Sequence, residues 1–147
     1  MKDVTNTVMI FLHLFGVVAA IGGVHYVVTV LTPLARRMGE PAGPDLLAAA
    51  GRKFRAIVWV SIVLITLSGL HLMFARGHLK SPNLPMLLLK VALALVVFGI
   101  SLGLTLPIKA FGQMQRNRLF WQRMNLVVAA IVLFLAAWLL SQQRPVA

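Results

Sequence analysis

The sequence is constrained most by its long apolar segments. Four of them reach or exceed the roughly 20 residues that a helix needs to cross a bilayer core of about 30 Å. Lipid offers backbone amides no hydrogen-bond partner, so each segment must be helical. The sequence therefore predicts an all-α fold, an integral membrane four-helix bundle formed by a single domain of residues 1–147. The predicted spans are about residues 5–34, 55–75, 84–109 and 119–141.

The composition agrees with a membrane protein and excludes several kinds of functional site. Hydrophobic residues make up 60% of the chain and charged residues 12%, about half the share typical of a soluble domain. The absence of cysteine from the sequence excludes disulfides, thiolate metal ligands, cysteine nucleophiles and iron–sulfur clusters formed by this chain. The first apolar segment is too long for the core of a cleaved signal peptide, so we expect it to remain as a span.

The basic residues are distributed unevenly between the loops. Lys and Arg number 14 against 3 Asp and Glu, a formal net charge of +11. Most lie between the first two spans or between the last two, and the positive-inside rule assigns such loops to the cytoplasm. We therefore expect both termini on the outer, periplasmic side of a bacterial inner membrane, with anionic lipids rather than nucleic acid as partners of these loops. The loop residues are Arg36, Arg37, Arg52, Lys53, Arg55, Lys109, Arg116, Arg118 and Arg123.

Ionisable side chains inside a bilayer are costly and are candidate functional groups. His13, His71 and Lys90 lie at similar distances from the outer ends of their spans, which predicts one pocket in the outer leaflet. His25 lies about 18 Å deeper along the first helix. Because no span contains Asp or Glu, we expect any chemistry here to depend on a metal or cofactor.

Two imidazoles and an amine beside small side chains suit either a b-type haem or a soft metal ion. For haem, His13 would be an axial ligand, and His71 or Lys90 would be the second ligand or a partner of a propionate. For copper, thioether sulfurs toward the outer side would join the imidazoles. The copper ligands would be His13, His71, Met9, Met73 and Met86.

Each of these residues also has a purely structural interpretation. An intramembrane His often only forms an interhelical hydrogen bond, a Lys can extend toward the headgroups, and Met fills gaps in packing. For His25, packing or hydrogen bonding is the favoured interpretation, and the role of His78 stays open. Gly99 and Gly103 form a small-xxx-small pattern, which permits close helix contact within the bundle or in a homodimer.

Four segments resemble a known superfamily of membrane proteins. CopD-like proteins have a first helix, with a His followed by a glycine pair, that resembles LHLFGVVAAIGGVHYVVTVLTPLARR. Their second helix resembles KFRAIVWVSIVLITLSGL, and their third, where a Lys follows a leucine run, resembles MLLLKVALALVVFGISLGL. The related HemJ-type protoporphyrinogen oxidases have a fourth helix similar to RLFWQRMNLVVAAIVLFLAAWLL, in which a basic and aromatic stretch precedes Asn125.

This resemblance implies a four-helix bundle in which His13 and Lys90 match functional positions of the HemJ type, a family that binds b-type haem. The CopD relatives imply copper passage across the bacterial inner membrane. The sequence has Leu88 where HemJ-type proteins have a His, and Leu126 where they have a Glu. The resemblance therefore implies the fold and a haem-binding position more directly than it implies protoporphyrinogen oxidation.

Three functions are compatible with these observations. The leading one is binding of b-type haem in the outer-leaflet pocket, for electron transfer or porphyrin chemistry; an enzyme of this kind would be a haem-dependent oxidoreductase. The second is copper binding or transport across the inner membrane. The third is a non-catalytic structural subunit of a larger membrane complex, in which the glycine pair and the basic loops form the contacts.

Overall fold

The computed structural model of the chain describes residues 2–75, 83–106 and 111–142. The regular elements in these ranges are all helical, and four helices there are long and apolar enough to cross a membrane. This confirms the predicted all-α fold with four such helices, while the side on which the termini lie stays a prediction. The loop that contains His78, and Lys109 at the predicted end of the third span, lie outside the described residues. The four helices cover Val4–Met38, Ala42–Ala75, Leu84–Thr105 and Arg118–Ser141.

The helices form two compact units, the first of which is Met1–Ala75. Its first arm comprises α1 (Lys2–Tyr26), a π-helix (Val27–Leu31) and α2 (Thr32–Met38). The three follow one another without a break because the residues at both junctions keep right-handed helical backbone angles. The first arm is therefore one rod that continues past the predicted span end at residue 34.

The second arm of the first unit is a single long helix, α3 (Ala42–Ala75). Pro41, Gly43 and Pro44 are typical helix-breaking residues, and the helix does break next to them, since α2 ends at Met38 and α3 begins at Ala42. From Ala42 onward the helix continues without a further break into the predicted second span. Pro44 is compatible with it because a proline in the first helical turn removes no internal hydrogen bond.

A tight turn joins the two arms. Gly39 has a φ of 70°, a conformation that favours glycine, and its carbonyl accepts a 2.8 Å hydrogen bond from the amide of Gly43. A methyl group at Gly43 would lie 2.2 Å from the carbonyl oxygen of Ala35. Glycine at this position therefore lets α3 begin directly against the end of α2.

Small residues fix the antiparallel register of the two arms. A Cβ at Gly16 would lie 2.9 Å from Cγ1 of Ile65 and 3.2 Å from the carbonyl oxygen of Ser61. Further along, a Cβ at Gly23 would lie 2.2 Å from the ring of Phe54. These contacts place Gly16 level with residues 61–65 and Gly23 level with Phe54, so heights along the two arms can be compared directly.

The second unit, Arg76–Ala147, contains α4 (Leu84–Thr105), α5 (Gly112–Arg116) and α6 (Arg118–Ser141). Helix α4 ends before the predicted limit of residue 109, and Leu106 is extended, as expected for a residue that precedes a proline. Of the predicted glycine pair, Gly103 packs against Met114, whereas nothing lies within 4 Å of a Cβ placed at Gly99. Gly103 therefore serves packing within the unit.

Large apolar side chains on all four long helices face outward rather than inward. Phe11, Leu67, Leu95 and Phe134 each expose more than 60% of their surface. The side chains with the least exposure are instead small, Ser61 and Ser68. An apolar exterior with small residues at helix contacts is the arrangement expected in lipid.

Candidate cofactor site

His13 lies on the face of α1 that packs against α3. Its ring rests against Gly69, where an added Cβ would lie 3.1 Å from Cε1 and 3.4 Å from Nδ1 of the imidazole. The glycine thus allows the ring to lie close to the backbone of α3. Gly16, one turn from His13 toward the hairpin turn, brings the helices together and so sets this distance.

The hydrogen bonds of Nδ1 determine the tautomer of His13. Nδ1 lies 3.1 Å from the carbonyl oxygen of Ile65 and 3.1 Å from the hydroxyl oxygen of Ser68. A carbonyl oxygen only accepts, and the Ser68 hydroxyl donates its own proton to the carbonyl of Leu64. Both partners therefore require a proton on Nδ1. In the neutral imidazole, this leaves the lone pair on Nε2.

This contact has the form that metal-binding histidines commonly have. Such a histidine usually donates its second ring N–H to a carbonyl or another acceptor, which fixes the ring and raises the basicity of the ligating nitrogen. Ser68 is only 1% exposed, so bulk water does not compete for the Nδ1 contact. The structural interpretation of His13, an interhelical hydrogen bond, is confirmed at Nδ1, and it is compatible with a ligand at Nε2.

His71 lies on the same arm as these partners, about 4.5 Å along α3 from Ser68. Its ring atom Nε2 is buried and has no hydrogen-bond partner among the described residues. A buried polar atom that lacks a partner is unusual, because burial without a hydrogen bond carries a desolvation cost. Nε2 of His71 is therefore suited to bind a ligand.

Two of the candidate methionines lie at the same end of this unit. Met9 is one turn beyond His13 on α1, and Met73 is one turn beyond Gly69 on α3. Both are half-buried. Because His13 and Gly69 touch, the antiparallel arms bring Met9 and Met73 to about the same height. Two imidazoles and two thioethers thus lie at similar heights along the two arms, although no cluster of three or more His, Cys, Asp or Glu occurs within the described ranges.

The remaining candidates, Lys90 and Met86, lie in the first turns of α4, in the second unit. Lys90 is half-buried and Met86 is exposed. The pairing of Lys90 with His13 stays a prediction. His25, which the sequence indicated as a packing or hydrogen-bonding residue, has an exposed side chain.

Comparisons with known proteins do not indicate which of the three functions this chain has. No family model, curated protein or solved structure matches this chain. The resemblance to CopD-like and HemJ-type proteins therefore stays a prediction, and the donor chemistry of the site carries the functional argument.

The second unit contains a polar contact that was not singled out from the sequence. The side-chain amide of Asn125 donates a 3.0 Å hydrogen bond to the hydroxyl of Ser101, and Asn125 is only 4% exposed. Gln122, one turn before Asn125, is 6% exposed. The sequence could have indicated this buried polar face from the spacing of the two amides, since polar residues three apart on an apolar helix share a face.

Proposed function

We propose that this chain is a multi-pass membrane protein that binds b-type haem, with His13 as an axial ligand. The supporting observation is the double contact of Nδ1 with Ile65 and Ser68, which requires a proton on Nδ1 and leaves the lone pair on Nε2. An imidazole held in this tautomer is ready to coordinate iron without first losing a proton.

The imidazoles at this end of the first unit could hold a haem. His71, whose buried Nε2 has no hydrogen-bond partner among the described residues, would supply the second ligand. Lys90 is the alternative, either as ligand or as a partner for a propionate. Bound haem would supply one-electron exchange, for electron transfer or porphyrin chemistry. The residues of this chain would orient the iron ligand through Ser68 and limit the access of water through the surrounding apolar surface.

We further propose a bacterial inner membrane as the location. The basic residues near the hairpin turn would face the cytoplasm, and both termini would be periplasmic. His13 would then lie in the outer leaflet, because its contact residue Ser68 is 13 residues, about 20 Å, from Arg55 along α3. Reduction or oxidation of the haem would take place near the periplasmic surface.

Copper binding is the second candidate, and the positions of Met9 and Met73 favour it. Thioethers and imidazoles together form a soft donor set that suits Cu(I). His13, His71 and these two methionines all belong to the first unit, so copper would require no ligand from α4. Met86 would be dispensable in this case.

The visible spectrum of the purified full-length protein distinguishes these functions. We expect a Soret band and sharp reduced α and β bands, lost in His13→Ala but retained in His25→Ala. The second variant is a matched control, since it removes an exposed histidine from the same helix. A colourless protein with stoichiometric copper would replace the haem proposal with the copper proposal. A protein that carries neither, while assembled with a partner complex, would favour a structural subunit.

A further inference from the structure

The hairpin of the first unit is longer than a membrane span. Helix α3 has 34 residues, about 51 Å, whereas the hydrocarbon core of a bilayer is about 30 Å thick. The contact of Gly23 with Phe54 sets the register of the arms and places the start of α1 level with Ala75, where α3 ends. Part of the hairpin must therefore lie outside the hydrocarbon.

Three basic residues surround α3 well before the hairpin turns. Arg52, Lys53 and Arg55 are exposed, whereas Phe54 between them packs against Gly23. Because successive residues of a helix point about 100° apart, the three basic side chains point in three different directions around the outside of α3. They lie about 15 Å or more from the beginning of the helix. We call these three residues the basic collar.

The basic collar marks the membrane boundary. The segment from Ala56 to Ala75 contains no Lys, Arg, Asp or Glu and has about the 30 Å length of a span. If the boundary lay at the turn instead, the collar would be more than 10 Å inside the hydrocarbon, where charges are strongly disfavoured. Two aromatic residues of types that are enriched at membrane interfaces, Trp59 and Tyr26, lie within about one helical turn of the collar and expose 41% and 54% of their surface.

We infer that the basic collar binds the headgroups of anionic phospholipids at the membrane surface, and that the turn lies in water beyond it. This inference is independent of the haem proposal. A guanidinium donates two parallel hydrogen bonds to phosphate oxygens, so Arg52 and Arg55 suit this partner. Asp45, the acidic residue of α3, is seven residues or about 10 Å from Arg52 along the helix, and it therefore does not compete with lipid phosphates for the collar.

The structure separates the collar from the other basic pair of this hairpin. Arg36 and Arg37 are also exposed, and the sequence alone places them in the same loop as the collar. Ala35 lies against Gly43, so this pair is level with the start of α3, about 14 Å beyond Arg52. Headgroups extend only about 5–8 Å beyond the hydrocarbon, and salt largely screens charges beyond about 8 Å at physiological ionic strength. The pair should therefore contribute little to lipid binding.

Cysteine accessibility tests the position of the boundary, because the sequence contains no cysteine. Ala48→Cys, about one turn beyond Arg52, and Val60→Cys, within the span, would each be placed in the full-length protein in nanodiscs and treated with a membrane-impermeant maleimide. Both positions are exposed on α3. We expect labelling at position 48 to be roughly tenfold or more faster than at position 60, because only a hydrated thiol ionises and reacts. Equal rates, whether fast or slow, would overturn the proposal.

Lipid selectivity is tested by fluorescence quenching in full-length protein with Trp121→Phe and Trp138→Phe, which leaves Trp59 as the single tryptophan. Trp59 lies about one turn from Arg55, so a lipid with brominated acyl chains quenches it when bound at the collar. We expect phosphatidylglycerol to bind there about tenfold or more tightly than phosphatidylcholine, since each basic residue near the surface contributes a factor of about five. Equal quenching by the two brominated lipids at equal fractions would overturn the proposal.

Matched variants locate this preference on the protein. Arg52→Gln with Arg55→Gln should lower it by about fivefold or more. Arg36→Gln with Arg37→Gln removes the same charge beyond the headgroups and should leave it nearly unchanged. Arg52→Lys with Arg55→Lys guards against misfolding, since it keeps the charge and should keep most of the preference. Equal loss in the two double Arg→Gln variants would mean that net charge rather than the collar attracts the lipid, and would overturn the proposal.

Discussion

The Nδ1 atom of His13 on α1 lies 3.1 Å from the hydroxyl oxygen of Ser68 on α3. This contact joins the two arms of the first unit and sets the tautomer of the imidazole at the same time. Because Ser68 also donates to the carbonyl of Leu64, its hydroxyl is held as an acceptor toward His13. A serine that is 1% exposed thus links helix packing to the chemistry proposed for Nε2.

Ser68→Ala removes one of the two acceptors of Nδ1. The carbonyl of Ile65 still requires a proton on Nδ1, but the imidazole is held by one hydrogen bond fewer. We therefore expect haem affinity to fall by about 10-fold, the lower end of the range of losses seen when the partner of a metal-binding histidine is mutated. Titration of the apoprotein with haem measures this effect. Ser61→Ala is the matched control, because Ser61 is 2% exposed on the same helix but contacts Gly16 instead. Equal losses in the two variants would show that Ser68 acts only in packing.

Gly69→Ala should displace the imidazole of His13. The new Cβ would lie 3.1 Å from Cε1, closer than an ordinary contact, so the ring must move away from α3. We expect a shifted reduced α band and altered low-spin signals in electron paramagnetic resonance. Gly22→Ala is the control, since a Cβ there meets nothing within 4 Å. An unchanged spectrum in Gly69→Ala would mean that His13 does not ligate the haem.

Gly16→Ala tests the packing of the first unit separately from its chemistry. A Cβ at this position would lie 2.9 Å from Cγ1 of Ile65 and 3.2 Å from the carbonyl of Ser61, and the backbone atom cannot easily move. We expect a loss of about 1–3 kcal/mol in unfolding free energy, as for other overpacked sites. Denaturation in mild detergent, again with Gly22→Ala for comparison, measures it. Unchanged stability would contradict the close approach of α1 and α3.

The Asn125–Ser101 contact should contribute modestly to the second unit. A double-mutant cycle of Asn125→Ala and Ser101→Ala in full-length protein should give a coupling energy of about 0.6 kcal/mol, with about 1.7 kcal/mol as the upper limit known for such bonds in membranes. Strictly additive effects would indicate that the 3.0 Å hydrogen bond does not contribute to stability.

The positive-inside rule makes a separate prediction about orientation. A fluorescent protein that matures only in the cytoplasm, fused after Ala147, should stay dark, whereas a periplasmic alkaline phosphatase at the same position should be active. A fluorescent fusion and an inactive phosphatase would show instead that the C-terminus is cytoplasmic. His13 would then lie in the inner leaflet, and its contacts with α3 would be unaffected.

The length of the apolar segments was sufficient to predict four helices, because only helices satisfy the backbone in lipid. Pro41, Gly43 and Pro44 adjoin the break between α2 and α3, and Pro44 falls in the first turn of α3, where a proline is tolerated. The π-helix at Val27–Leu31 has no comparable sequence signal. Depth along the spans predicted similar heights for His13 and His71, which the contact of His13 with Gly69 supports, whereas a shared pocket with Lys90 stays a prediction.

The partners of His13 were beyond sequence reasoning for a specific reason. The spacing of three residues places Ser68 and His71 on one helical face, but the contact of Ser68 with His13 depends on the register of two antiparallel helices. That register is set by contacts such as Gly16 against Ile65 and Gly23 against Phe54, which a single sequence does not reveal. The tautomer of the imidazole follows only once these contacts are known.

The most direct test of the central proposal is the haem content of His13→Gly, measured with and without added imidazole. If His13 is an axial ligand, the variant should lose the Soret band and haem stoichiometry of the native protein, and free imidazole, which can occupy the vacated ligand position, should restore both. A variant that keeps the native spectrum without imidazole would contradict the assignment of His13 as the haem ligand.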